Sequence, residues 1–265
     1  YQDLEIPWNT YATEISFYLK GGSGGVATTT KDNYPDTDAG TTEAGAGAIV
    51  LSAYKIGYGP GDIQPGSTIR FIIGGHGETE FYDDEQSAGG GGGASAILIK
   101  PPFSYYFSHL LIAGGGGGAC RGTESHDDNS SYQHKQAGKP GRNVDAGSSG
   151  TGDHPGSAGT DGDGGGSGEY LGEFPMTCGG GGILSTGTNS DCGKGAGGQA
   201  HPEGVEGGYY GNCDGVTFAR GGYGYGSGGA GVEIKLYVTD NLYGGGGGGG
   251  FSGGGGGDCG WGGGG

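Results

Sequence analysis

Gly89-Gly90-Gly91-Gly92-Gly93-Ala94-Ser95-Ala96-Ile97-Leu98-Ile99-Lys100 is followed, after a Pro101-Pro102 loop, by His109-Leu110-Leu111-Ile112-Ala113 and Gly114–Gly118. The fold is decided here. Each half is a short apolar strand beside a glycine run, and together they read as a β-hairpin with glycine runs entering and leaving it. Glycine loses more backbone entropy on folding than any other residue and gives a core no side chain. A chain that keeps unbroken glycine runs therefore either leaves them as flexible linkers or packs bare backbone. Alternation with clean strands favours packing.

The same alternation extends outward in both directions. Further runs stand at Gly179–Gly182, Gly244–Gly250, Gly253–Gly257 and Gly262–Gly265, and glycine supplies 76 of the 265 residues. Upstream, Ile15, Phe17 and Leu19 share one face of a half-buried strand, and Ala48–Tyr54 reads as another. Two turn signals, Pro60-Gly61 and Pro65-Gly66, precede a strand with Ile69, Phe71 and Ile73 on one face. Leu4 and Ile6 suggest a shorter strand closed by Pro7. Downstream, Val216-Thr217-Phe218 is a weak strand and Val232–Val238 a strong one. No segment shows a convincing helical period. The expectation is an all-β chain with essentially no α-helix, forming a single glycine-rich domain over 1–265. Its parts are a β-rich portion at 1–120, a polar surface loop at 121–168 without visible periodicity, and a cysteine-stapled glycine-rich portion at 169–265.

The contiguous runs do not fit collagen, which needs strict G-X-Y and abundant proline, and only 10 prolines are present. In-register repeats of the silk kind are absent. An extended polyproline-II-type helix made of glycine remains. It has about three residues per turn, rises ~3.1 Å per residue and forms no internal hydrogen bonds. Every buried N–H and C=O must then find a partner on a neighbouring segment. A seven-residue run such as Gly244–Gly250 would span ~22 Å, about the length of a strand.

Composition narrows the function classes. Hydrophobic residues make up 31% and charged residues 15%, while aromatic residues reach 10% with 17 tyrosines. That balance argues against simple disorder. The net charge of −17 and the absence of a Lys/Arg cluster make nucleic acid and anionic membranes poor partners. No apolar run approaches the ~20 residues that span a bilayer, so no membrane insertion is expected. The chain opens on Tyr1 and its one methionine is Met176, as expected of a mature product after removal of a leader. Cys120, Cys178, Cys192, Cys213 and Cys259 contain no C-x-x-C pair and suit disulfides in an oxidising compartment. Their odd number leaves one thiol over, for which Cys259 is the candidate. The expected location is secreted or extracellular.

From Ile6-Pro7 through Glu14–Gly25, the chain resembles the opening of the glycine-rich domain found in anaplastic lymphoma kinase, leukocyte tyrosine kinase and many secreted microbial proteins. Ala48–Ala53 and Gln64–Gly75 follow the same pattern. The most specific likeness is the hairpin between Gly89–Ala94 and Gly114–Gly118. The resemblance covers roughly residues 4–120, and the later glycine runs loosely. The segment 121–168 and the strand at 232–238 depart from it. It implies a jelly-roll-like antiparallel β-sandwich joined to a bundle of polyglycine-II helices. In the receptors such a domain is extracellular and takes part in cytokine binding.

Candidate chemistry is sparse. Asn129-Ser130-Ser131 is an N-glycosylation acceptor. Asp83-Asp84-Glu85, Asp127-Asp128 and Asp161-Gly162-Asp163 are oxygen-rich loops of a kind that can hold calcium, but none has EF-hand spacing, and they read as solvated carboxylates. No other cofactor is indicated. Gly21–Gly25 matches the nucleophile-elbow pattern only formally, without a strand–turn–helix context. The six histidines show no metal-ligand spacing. No catalytic residue is assigned. Aromatic residues beside the glycine stretches, among them Tyr105, Tyr106, Phe107, Tyr209, Tyr210, Tyr223, Tyr225 and Trp261, suit an interface or the edges of a glycine bundle equally. Tyr1, Gln2, Asp3, Leu4, Glu5 and Ile6 form an extended segment suited to pairing with a neighbour's sheet edge. The expected function is a non-enzymatic structural or adhesive protein that assembles with copies of itself into a filament, matrix or surface appendage. The alternative is a ligand-binding receptor ectodomain, with a glycan- or ice-binding module as a third class.

Overall fold

The computed structural model describes residues 1–29, 40–81, 87–125, 131–142, 146–152, 154–170, 174–175, 177–189, 193–194, 202–210, 216–235, 241–257 and 265. No α-helix occurs among them. The main sheet is antiparallel and orders its strands as Gln2–Glu5, Thr68–Ile72, Ser95–Lys100 and Ser108–Ala113. The last two are the expected hairpin, with a bulge between His109 and Leu111. The turn signals before Thr68 are turns in fact: Gly61 and Gly66 hold φ of 83° and 82°, where a side chain would be strained.

Both faces of the main sheet are covered. On one, Ile69 and Ile97 pack with Phe17 and Leu19 from the antiparallel pair Glu14–Lys20 and Ile49–Lys55. The Phe17 ring meets Phe71 edge-on at 6.2 Å. Ile15, Phe17 and Leu19 point inward and Glu14, Ser16, Tyr18 and Lys20 outward, following the alternation in sequence. On the other face, Ile72, Ala96 and Leu98 meet Tyr225, with Phe107 and Ile183 against them. Each fully buried Ile or Leu among them contributes about 1.5–3 kcal/mol. A second four-stranded sheet holds Thr79–Phe81, Ser87–Gly89, Cys120–Ser125 and Ser131–Gln136. A three-stranded one holds Val216–Ala219, Gly231–Lys235 and Asn241–Gly244.

The glycine segments bond mostly to one another's backbone, and around Gly89–Ala94 they do so in a repeat of three. The Gly89 and Gly92 N–H groups donate to the carbonyls of Ala119 and Gly116. Those of Gly90 and Gly93 donate to Glu78 and Gly75, and those of Gly91 and Ala94 to Gly229 and Gly226. The carbonyls of the same run accept in the same rhythm: Gly90 and Gly93 from Gly25 and Gly22, Gly89 and Gly92 from Gly246 and Gly249, Gly91 and Ala94 from Gly222 and Tyr225. All these bonds lie between 2.7 and 3.0 Å. The run is thereby surrounded by neighbouring segments on every side, with each of its amides satisfied. Gly115 and Gly118, which donate to Gly249 and Gly246, continue the pattern, as do Gly116 and Ala119 with Gly22 and Gly25.

Described parts of the segment 121–168, expected as a polar surface loop, are built into this arrangement. Arg121 is buried and its Nε donates to Thr29 Oγ1 at 2.9 Å. Residues 120–125 and 131–136 form a hairpin. Beyond them, Gly138, Gly147, Gly150, Gly156, Gly159, Gly162, Gly165 and Gly168 are all buried, and their positions differ by multiples of three. These in-phase glycines are the ones that lie against neighbouring segments, and most residues between them carry side chains. The Ser, Thr and Asp residues between them disguise the period.

Candidate functional site

At most of their positions the glycine segments leave no room for a side chain. A Cβ placed on Gly89, Gly90, Gly91, Gly92 or Gly93 would lie closer than 3.0 Å to a backbone oxygen, those of Gly25, Arg220, Gly247, Gly22 and Tyr223 respectively. Where a side chain does enter, it replaces backbone partners. Ser95 Oγ donates to the Lys20 carbonyl at 2.6 Å and accepts the Gly74 N–H at 2.8 Å. Thr177 Oγ1, fully buried, donates to the Gly257 carbonyl at 2.6 Å and accepts the Gly168 N–H at 3.1 Å. Side chains with contact chemistry are instead found around the ends of the main sheet.

At one end stands a protruding aromatic tip. The Ser104 N–H donates to the Pro101 carbonyl at 3.1 Å, closing a turn in which Phe103 holds φ of 63°. That position favours glycine, yet it presents a ring 92% exposed. Tyr105 and Tyr106 follow at 92% and 82% exposed. Ser104 Oγ braces them through the Tyr106 backbone, donating to its carbonyl and accepting its N–H at 3.1 and 3.2 Å. Trp8 lies over Gly66, where a Cβ would strike its ring, and its centroid is 5.9 Å from that of Phe103. Tyr11, in the same connection as Trp8, is 98% exposed.

Toward the other end lies a groove of about 510 Å³ bordered by Tyr1, Leu4, Phe71, Ile73 and Tyr223. Its strand Gln2–Glu5 is held by a bidentate ion pair, with Arg70 Nε to Asp3 Oδ1 at 2.7 Å and Nη2 to Oδ2 at 2.8 Å. The Arg70 guanidinium sits 3.9 Å above the Tyr1 ring and 4.2 Å from that of Phe107, and Nη1 donates to the Pro202 carbonyl at 3.0 Å. The hydrogen bond from Arg70 holds the Asp3 carboxyl below the usual carboxylate range, and the Asp3 partnership raises Arg70 in turn. Burial, then the charge of Glu203, pushes the Tyr223 phenol up, and its hydroxyl donates to the Glu203 carbonyl.

The Tyr1–Ile6 segment, expected to pair with a neighbour's sheet, pairs within its own chain. Gln2, Asp3, Leu4 and Glu5 face Phe71, Arg70, Ile69 and Thr68. Ile6 is buried, exchanging backbone bonds with Ser67 and Gly66. The strand is an outer strand of the main sheet. Its partner was legible as a strand, but its short length gave no signal of where it would pair.

Of the cysteines, Cys120 and Cys178 are buried and no disulfide joins described residues, so the expected staple is not seen there. Cys192, Cys213 and Cys259 lie outside the described residues, as do Asn129, Asp83-Asp84-Glu85, Asp127-Asp128 and Trp261. Asp163 accepts from Ser185 Oγ at 3.1 Å. Among the described residues no group of three or more His, Cys, Asp or Glu is placed to hold a metal, and no helix is long and apolar enough to cross a membrane. Sequence reasoning named Tyr105 and Tyr106 but passed over Trp8, Tyr11 and Phe103. Their signal is a pair of uncharged, aromatic-rich connections in an otherwise acidic chain. Compared with models of protein families, with curated proteins and with solved structures, the chain finds no match.

Proposed function

We propose that this chain is a non-enzymatic extracellular structural or adhesive protein that assembles with further copies of itself. The glycine segments are read as polyglycine-II helices packed on a jelly-roll-like sandwich, the architecture implied by the resemblance to the glycine-rich domain of anaplastic lymphoma kinase and leukocyte tyrosine kinase. The observation that carries this reading is the three-residue rhythm of cross-bonding around Gly89–Ala94. A lattice whose amides bond one another and most of whose glycines admit no Cβ is stiff and offers few side chains with which to do chemistry. Its use is mechanical: it holds surface groups in fixed relative positions.

Electron microscopy and light scattering of purified material test the proposal. Polymers are expected; a monodisperse monomer at every accessible concentration would sink it. The runner-up, a ligand-binding ectodomain, draws support from the exposed rings at one end of the main sheet. It expects that monomer together with saturable binding of a soluble ligand.

A further inference from the structure

The aromatic tip stands at one end of the main sheet, and the groove of about 510 Å³ runs along its edge strand from Leu4, paired with Ile69, to Ile73 toward the other end. Thr68 pairs with Lys100, directly before the tip, whereas the groove is bordered by Phe71 and Ile73 on the same strand path. Thr68 and Ile73 are ~17 Å apart at a strand's rise of about 3.3 Å per residue. We propose that the tip of one copy, led by Phe103, seats in the groove of the next. This inference rests on the assembly reading above and names its contact.

Three observations support a second copy as the occupant. First, the tip is built to protrude. Phe103 occupies a left-handed position, at a cost on the order of 1–2 kcal/mol for a residue with a Cβ. A chain this rich in glycine places Phe there and turns its ring into solvent. Second, the tip offers apolar surface to bury: Trp8, Tyr11, Phe103, Tyr105 and Tyr106 are all more than half exposed. Third, the charges permit it. Two copies each carrying −17 repel one another, and a contact between them needs uncharged surfaces. Residues 6–13 and 101–108 contain no charged side chain. In the groove the Asp3 carboxylate is already paired with Arg70. A cleft of this size falls in the range that encloses a drug-sized molecule, enough for more than one ring.

Because tip and groove are different, non-overlapping surfaces, the contact is head-to-tail. Each copy engages two neighbours, and repetition gives an open filament unless the rotation closes a ring.

The test uses the full chain in sedimentation velocity with a tip variant, Phe103→Gly/Tyr105→Ser/Tyr106→Ser, and a groove variant, Leu4→Lys/Ile73→Lys. All of these positions are exposed, and each variant is checked for wild-type circular dichroism and melting. The wild type is expected to polymerise and each variant alone to sediment as a monomer. An equimolar mixture is expected to give one-to-one heterodimers and nothing larger, because one variant keeps the groove and the other the tip. If the wild type polymerises but either variant does so equally well, or the mixture stays monomeric, the tip-and-groove contact is refuted and the assembly reading survives. A wild type that remains monomeric throughout overturns both. Wild-type monomers whose tip binds glycans or lipid vesicles give the tip a different partner and overturn both as well.

Discussion

At the scale of the residue, glycine serves here less for conformational freedom than for the absence of Cβ. Gly91 and Gly75 make the distinction measurable. Both lie in cross-bonded segments, but a Cβ on Gly91 would collide with the Gly247 carbonyl, whereas one on Gly75 would meet nothing nearer than the Tyr223 nitrogen at 3.3 Å. Gly91→Ala is therefore expected to destabilise at or beyond the upper end of the ~1–3 kcal/mol typical of overpacking. Gly75→Ala is expected to cost ~1 kcal/mol or less, since its neighbour need give only slightly. Thermal unfolding of the two variants checks this, and equal losses would mean that the spacing of the segments does not govern tolerance. The runs themselves were plain in the sequence because contiguous glycine has few other uses beside strands. The single glycines from Gly138 to Gly168 were not, because Ser, Thr and Asp fill the outward positions of the same period. Nor could sequence show that Ser95 and Thr177 supply hydroxyls in place of backbone partners, since serine and threonine are common in loops.

At the scale of the element, long strands were legible and short ones were not. Glu14–Lys20 and the Ser95–Lys100/Ser108–Ala113 hairpin show enough alternation or apolar content to be read directly, whereas Ala27–Thr29 and Gly40–Thr42 are each too short to display a period. The Gln2–Glu5 strand adds something that pattern alone does not carry, a charged tether. Asp3 titrates below the ordinary carboxylate value of about 3.9 in the folded chain because Arg70 donates to it. A carboxylate depressed on folding stabilises above its unfolded pKa, and that contribution is lost as pH falls through the folded value. The pair is partly exposed, so its worth is on the order of 0–1 kcal/mol. Acid unfolding followed by near-ultraviolet dichroism should show the wild type losing this increment below about pH 4. Asp3→Asn should lack the increment at neutral pH and show a flatter profile in that window. Superimposable pH profiles for the two proteins would mean that the tether is not linked to folding.

At the scale of the whole molecule, the balance of buried surface differs from that of an ordinary globular protein. Among the described residues, the large buried aliphatic and aromatic side chains cluster mainly on the two faces of the main sheet. Much of the remaining interior is peptide backbone, where bonded N–H and C=O groups of glycine segments lie against one another. Exposing apolar surface raises the heat capacity by about 0.45 cal/mol/K per Å², while exposing polar surface lowers it by about 0.26. An ordinary chain of 265 residues would unfold with a heat-capacity change of roughly 3–4 kcal/mol/K. Unfolding this chain exposes an unusual share of peptide groups and, with 31% hydrophobic residues, comparatively little apolar surface. The two terms then offset one another more fully, and calorimetry should give a value clearly below that range. The stability curve follows from it: a small heat-capacity change flattens the dome, so stability at low temperature should fall off less than usual. The measurement is best made on the dispersed tip variant, so that dissociation of copies does not contribute heat of its own. A heat-capacity change at or above the ordinary value would mean that unfolding exposes apolar side chains rather than backbone, and the glycine lattice would lose its place as the principal interior of the fold.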